Sequence, residues 1–185
     1  MKAVMISIQP KWCGMILEGE KSIEIRKNAP NIKPPFKCYI YCTIGGDPLF
    51  LVNGKPMLNR FVLPLNQHST VWELNGGVIA EFVCDEIIPI NVFYNGTIQY
   101  YHANRLDRSG VPYDLISEYI GAGKVGRGWH ISELKIYDRP KELHEFNQCH
   151  KCEYHEGCVQ HEYSCAGHYK LQRPPQSWCY VEELR

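Results

Sequence analysis

The sequence predicts a mixed, β-rich α+β fold: a small closed β-barrel flanked by short helices, carrying a cysteine-rich metal-binding insertion near the C-terminus. Three observations point there. Apolar and polar residues alternate with a period of two in many short runs bounded by turn residues, as half-buried strands require. Only two segments have helical spacing. Four cysteines fall within seventeen residues of a polar segment that has too few apolar side chains to fold by burial alone.

The elements follow in order. Lys2 to Ile8 reads as a strand. Pro10 suits the first turn of a short helix, where its missing N–H is no loss, and Gly19 is a plausible stop after Met15, Ile16 and Leu17. Pro30, Pro34 and Pro35 mark an irregular loop, and residues 37–43 alternate as a strand. Asn53-Gly54 between Leu49–Val52 and Met57-Leu58 is a hairpin signal, read as an elaboration of the barrel. Residues 77–90 form a long, bent central strand. Leu115, Ile116, Tyr119 and Ile120 have helical spacing after Pro112 and before Gly121. Trp129 to Tyr137 and Trp178 to Glu182 are the last strands. Residues 1–140, completed by 171–185, make the barrel domain, and 141–170 the insertion.

Gly19-Glu20-Lys21-Ser22-Ile23-Glu24-Ile25-Arg26 fits G-x-K-x-x-E-x-R. On a strand, Ile23 and Ile25 face one way and Ser22, Glu24 and Arg26 the other, with Lys21 at the strand mouth. An ammonium, a carboxylate and a guanidinium are gathered at one spot, as a pocket for a polar ligand needs. Lys11 and Trp12 lie close by in sequence, and Trp12 is a candidate for stacking on a base.

With Ile6–Trp12, the helix to Leu17 and Cys38–Thr43, this motif resembles the signature of the ASCH domain family of the PUA-like superfamily, at all four fixed positions. Gly77–Phe82, Gly128–Leu134 and Pro174–Cys179 look like pieces of ASCH proteins from phages and Firmicutes. The resemblance implies a PUA-like barrel and association with RNA or modified nucleotides, with Lys11, Trp12, Lys21, Glu24 and Arg26 as the binding residues. Family precedents also include a ribonuclease and an amidohydrolase acting on N4-acetylcytidine, which uses a lysine, a threonine nucleophile and a later glutamate. Lys21 matches the lysine, but Glu24 stands at the threonine position, so that mechanism does not carry over. Glu81 corresponds loosely to the later glutamate. If the protein is an enzyme, Lys21, Glu24 and Glu81 are the candidate catalytic residues. The family name comes from a transcription coactivator, so a protein-interaction or regulatory module is a third reading.

Cys149-x2-Cys152-x5-Cys158-x6-Cys165 offers four soft ligands, enough to enclose one tetrahedral ion, with His150, His155, His161 and His168 as substitutes. Zn2+ is the expected cofactor, an iron–sulfur cluster the alternative, and disulfides a third arrangement disfavoured in a reducing compartment. Cys13, Cys38, Cys42 and Cys84 stand in apolar contexts and read as core, as does Cys179 unless it approaches the cluster.

Twenty basic and twenty acidic residues give zero formal net charge, which argues against non-specific coating of nucleic acid. The first 43 residues nevertheless hold seven lysines and arginines against three glutamates. RNA or a nucleotide is therefore the expected partner, with DNA also open. No apolar run approaches the ~20 residues of a membrane span, and Ala3–Ile6 is too short for a secretory apolar core, so a cytoplasmic location is expected. Gly121-Ala122-Gly123-Lys124-Val125-Gly126 satisfies G-x-G-x-x-G, but a helix precedes it and a strand follows, the reverse of the dinucleotide fingerprint. Lys124 and Arg127 there read as surface-loop cations with access to phosphate.

Overall fold

The computed structural model describes residues 1–58, 68–99, 103–149 and 168–184. In chain order the elements are β1 (Lys2–Ile8), α1 (Pro10–Leu17), β2 (Ile23–Arg26), β3 (Phe36–Cys42), β4 (Leu49–Val52), β5 (Lys55–Leu58), β6 (Val71–Glu73) and β7 (Val78–Asn91). There follow α2 (Ala103–Leu106), a 3-10 turn at Asp107–Ser109, α3 (Tyr113–Ile120), β8 (Val125–Lys141), β9 (Asn147–Cys149), β10 (His168–Lys170) and β11 (Trp178–Glu182).

Eight strands form one mixed sheet in the order β10-β9-β11-β1-β3-β7-β8-β2, with β1 and β3 parallel. The expected closed barrel is not formed. β2 pairs only with β8 among the described residues, and the sheet ends there as an open edge. β1, the strand that Arg26 reaches, is already paired with β11 on one side and β3 on the other, so β2 finds no free edge there. The side chain of Arg26, not the backbone of β2, makes the contact, its Nη2 donating to the Ser7 carbonyl at 2.5 Å.

Both faces of the sheet centre are buried, and the two-residue period sorts them. Val4, Ile6 and Ile8 of β1 join Cys38, Ile40 and Cys42 of β3, Phe82 and Trp129 in one core. Ala3 and Met5 join Tyr39, Tyr41, Phe146 and Val181 in the second. Cys13, Cys38, Cys42 and Cys84 are buried as expected. A third core sets Ile23 and Ile25 against Ile88 and Ile90 of β7 and Ile116 and Ile120 of α3. The hairpin signal holds: Asn53 and Gly54 both have positive φ, at 49° and 77°, and join β4 to β5 in a separate three-stranded sheet with β6.

β8 runs from Val125 to Lys141, longer at both ends than the expected 129–137. Its ladder with β7 shifts register three times, the last between Cys84 and Ile87, and these irregularities bend the pair. Pro89 is tolerated in β7 because the last β3 partner is Cys84, so at Pro89 the described ladder runs to β8 alone.

Gly126, the third glycine of the rejected fingerprint, has a packing role. A Cβ there would lie 2.3 Å from Ile120 Cδ1 and 3.3 Å from the Arg26 carbonyl. Gly126→Ala is therefore expected to destabilise the fold by ~1–3 kcal/mol through overpacking. Urea unfolding measures it, with Gly45→Ala, whose Cβ would meet nothing within 4 Å, as the neutral comparison.

Candidate ligand cleft

The signature is built by a helix stop. α1 ends in a Schellman arrangement: the Gly19 N–H bonds the Ile16 carbonyl at 3.0 Å and the Glu20 N–H bonds the Met15 carbonyl at 2.9 Å. Gly19 takes φ 79°, which a side chain would strain, and the chain turns so that Lys21 points inward. The next residues enter β2, whose alternation sends Ile23 and Ile25 into the third core and leaves Glu24 and Arg26 beside Lys21.

All three charged side chains are buried: Lys21 is 2% exposed, Glu24 6% and Arg26 7%. The Lys21 ammonium makes three close contacts, to the Ile23 carbonyl at 2.7 Å, the Ser109 carbonyl at 2.8 Å and Glu24 Oε2 at 3.2 Å. These account for its three protons. Arg26 Nη2 bonds Glu24 Oε1 at 2.9 Å as well as Ser7 O, and Nη1 reaches Ser177 Oγ at 3.4 Å. The buried Arg26 Nε–H has no acceptor among the described residues. Burial pulls the Lys21 pKa below the ordinary lysine value, against the opposing pull of the Glu24 charge.

The triad forms part of the wall of a cavity of about 670 Å³, within the usual range for small-molecule sites. Trp12 from α1, Ile116 and Tyr119 from α3, Tyr41 and Thr43 from β3 and its exit, and Pro174–Gln176 before β11 also line it. Lys11 places its ammonium 4.7 Å from the Trp12 ring centroid, and Lys27 lies 5.1 Å from that of Tyr119. A base edge could meet Glu24 and Arg26, a ring could stack on an aromatic, and lysines flank both aromatics.

Lys21, Glu24, Arg26 and Trp12 are thus brought together on the cavity wall, while Lys11 does not line it and sits against the Trp12 ring. Glu81 is elsewhere: it accepts from Tyr137 at 2.7 Å and pairs with Lys37 and Lys135, none of which lines the cavity. Of the cysteine cluster, Cys149 closes β9, while Cys152, Cys158 and Cys165 lie outside the described residues. No group of three or more His, Cys, Asp or Glu side chains suited to a metal occurs among the described residues. Sequence reading missed Tyr41, Tyr119 and the Ser109 carbonyl, which only long-range packing brings near the motif. It also missed the contact of His130 Nδ1 with Asp85 Oδ1 at 2.6 Å, away from the cavity. Burial there works to raise the Asp85 pKa, but the hydrogen bond and charge of His130 outweigh it and hold it below the ordinary value. Among the described residues no helix is long and apolar enough to cross a membrane.

No protein-family model and no curated protein matches the sequence. Solved structures do. The crystal structure of ASCH from Zymomonas mobilis superposes with a TM-score of 0.55 at 16% identity, over 98% of this chain and 88% of that one. Two single-site mutants of that protein give TM-scores of 0.55 and 0.53 at 16% and 14% identity, over 99% and 98% of this chain and 92% and 89% of theirs. The fold is therefore ASCH-like.

Removing Glu24 strands two buried cations. Glu24→Ala is expected to cost ~3–5 kcal/mol in urea unfolding, and less when combined with Lys21→Met. Additive losses in the double variant would mean that the two side chains do not interact.

Proposed function

We propose that the cleft binds RNA or a modified nucleotide, holding a base between its aromatic walls and its buried charges. The observation that carries this reading is the triad itself: two cations share one carboxylate in a buried wall, and a guanidinium N–H there has no acceptor among the described residues. A phosphate oxygen or a base carbonyl is the complementary group. Glu24 is suited to accept from an exocyclic amine, and Trp12 and Tyr119 offer ring faces. The ASCH-like fold supports the same reading by analogy.

A second reading, hydrolysis of RNA or of a modified nucleoside at the same residues, is favoured by the lowered pKa of Lys21, which brings that amine closer to proton transfer. Against it, all three Lys21 protons are already engaged, so the lysine serves better as a fixed charge than as a nucleophile.

Because Lys21 and Arg26 are buried, alanine at either position confounds binding with folding. Arg26→Lys keeps the charge but removes the Nε–H and the planar fork, and Trp12→Ala removes a ring at the cleft. Each is expected to weaken binding of a fluorescein-labelled single-stranded RNA roughly tenfold, with unchanged circular dichroism and tighter binding to RNA than to DNA of the same sequence. Wild-type affinity in both variants would remove the cleft from consideration. The same RNA on a denaturing gel decides the hydrolytic reading, since cleavage by wild type that Lys21→Met abolishes would establish it.

The cysteine segment is proposed to hold one Zn2+ through Cys149, Cys152, Cys158 and Cys165. Supporting this, Cys149 of β9 pairs with His168 of β10, so the two positions that bound the segment stand side by side in the sheet. A loop closed at its base loses less entropy when its ligands gather. Elemental analysis is expected to find one zinc per chain, lost in Cys149→Ser with Cys152→Ser while the main sheet stays folded. Visible charge-transfer absorbance with iron would indicate a cluster instead, and protein free of both metals would refute the proposal.

A further inference from the structure

We infer that the surface leading out of the cleft across α3 and its two neighbouring loops is a platform for the single-stranded RNA that flanks the bound base. This rests on the RNA reading of the cleft. Six residues carry it: Lys27, Phe93, Tyr94, Tyr119, Lys124 and Arg127.

The platform is continuous with the cleft. Tyr119 lines the cavity yet is 41% exposed, and the Lys27 ammonium sits over its ring. Lys27 directly follows Arg26, and Arg127 of β8 is the register partner of Arg26. From Arg127 the chain leads back to Lys124, whose stem packs near Gly121 at the end of α3. One ring and three cations thus stand on segments that neighbour Arg26 in sequence, in register or through Tyr119.

The aromatic part is exposed but anchored. Tyr94 is 91% exposed and Phe93 49%, which core packing does not explain. Their loop is fixed at several points. The Phe93 N–H bonds the Thr97 carbonyl at 2.8 Å, and the Ser117 hydroxyl of α3 donates to the Gly96 carbonyl at 2.7 Å. The glycine-rich loop is tied to it through Gly123 N–H to Val92 O at 2.9 Å and Val92 N–H to Lys124 O at 3.0 Å. The Tyr94 ring rests on Gly123, where a Cβ would lie 2.7 Å from its Cε1. That contact, together with φ 72°, accounts for the glycine. The loop therefore holds out a ring at a set position next to a lysine, the pairing of stacking face and phosphate contact that single strands use.

Charge sets a boundary. Leu115 and Tyr119 occupy one i,i+4 row of α3, and Asp114 and Glu118 the adjacent row. These two carboxylates repel a phosphate backbone along their own row of the helix.

The test compares fluorescein-labelled oligouridylates of about twelve and about three nucleotides, lengths chosen to exceed and to fall short of a typical strand-binding site. Wild type, Tyr94→Ala with Lys124→Ala, and Arg26→Lys are titrated by anisotropy, and each is sized by sedimentation. The double variant is expected to bind the long strand roughly tenfold more weakly and the short one as wild type does. Lys124→Ala alone should lower the salt slope by about 0.7. Wild-type affinity for the long strand in the double variant, with a loss in Arg26→Lys, overturns the platform and leaves the cleft standing. The opposite pattern overturns the cleft reading, and with it a platform that flanks a base bound there. No RNA binding by wild type overturns both. A double variant that changes its assembly state while binding RNA as before makes the patch a contact between copies of the chain, and the platform inference falls.

Discussion

Two cations and one carboxylate cannot be taken out of water unless nearly every proton and lone pair finds a partner, and much of this molecule's long-range organisation meets that demand. The Lys21–Glu24–Arg26 group draws on segments far apart in sequence: the Ser7 carbonyl from β1, the Ser109 carbonyl from the 3-10 turn after α2, and the Ser177 hydroxyl before β11. Each tie fixes one of those segments against β2. A buried ion pair is weak evidence for net stability, since desolvation offsets the Coulombic gain. Its strength as a specifier is greater, because a misplaced partner leaves a bare charge in the interior.

The open sheet gives the same group its room. A barrel closes when its edge strands share backbone hydrogen bonds. Here β1 is already paired on both sides, by β11 and β3, so β2 meets it through one side-chain bond from Arg26 to the Ser7 carbonyl. Side chains of both β1 and β2 line the cavity there. The fold thus exchanges regularity for a site, as strained or irregular regions of proteins often do.

Local features were legible in the sequence. The Gly19 stop, the facing of β2, the Asn53-Gly54 turn and the buried cysteines all follow from rules that act within a few residues. The closed barrel failed because the sequence does not say which strand edges meet. Glu81 was a plausible cleft acid by analogy, yet its neighbours are Tyr137, Lys37 and Lys135, set by the β3–β7 and β7–β8 registers. Those registers shift at bulges that no local pattern announces. Tyr119 read correctly as helical, but its place on the cleft depends on α3 packing on Ile23 and Ile25. The Ser109 carbonyl is a backbone atom and leaves no mark in residue identity.

The pairing of Cys149 with His168 has a different kind of consequence. It makes the junction a socket. The sheet is continuous up to the last residue of β9 and from the first of β10, so what is spliced between them need contribute nothing to the main cores. Exchanging that segment for one twice as long would add only ~0.6 kcal/mol of closure entropy. A junction of this kind tolerates a change in the length of what it joins while the cleft beyond it keeps its geometry.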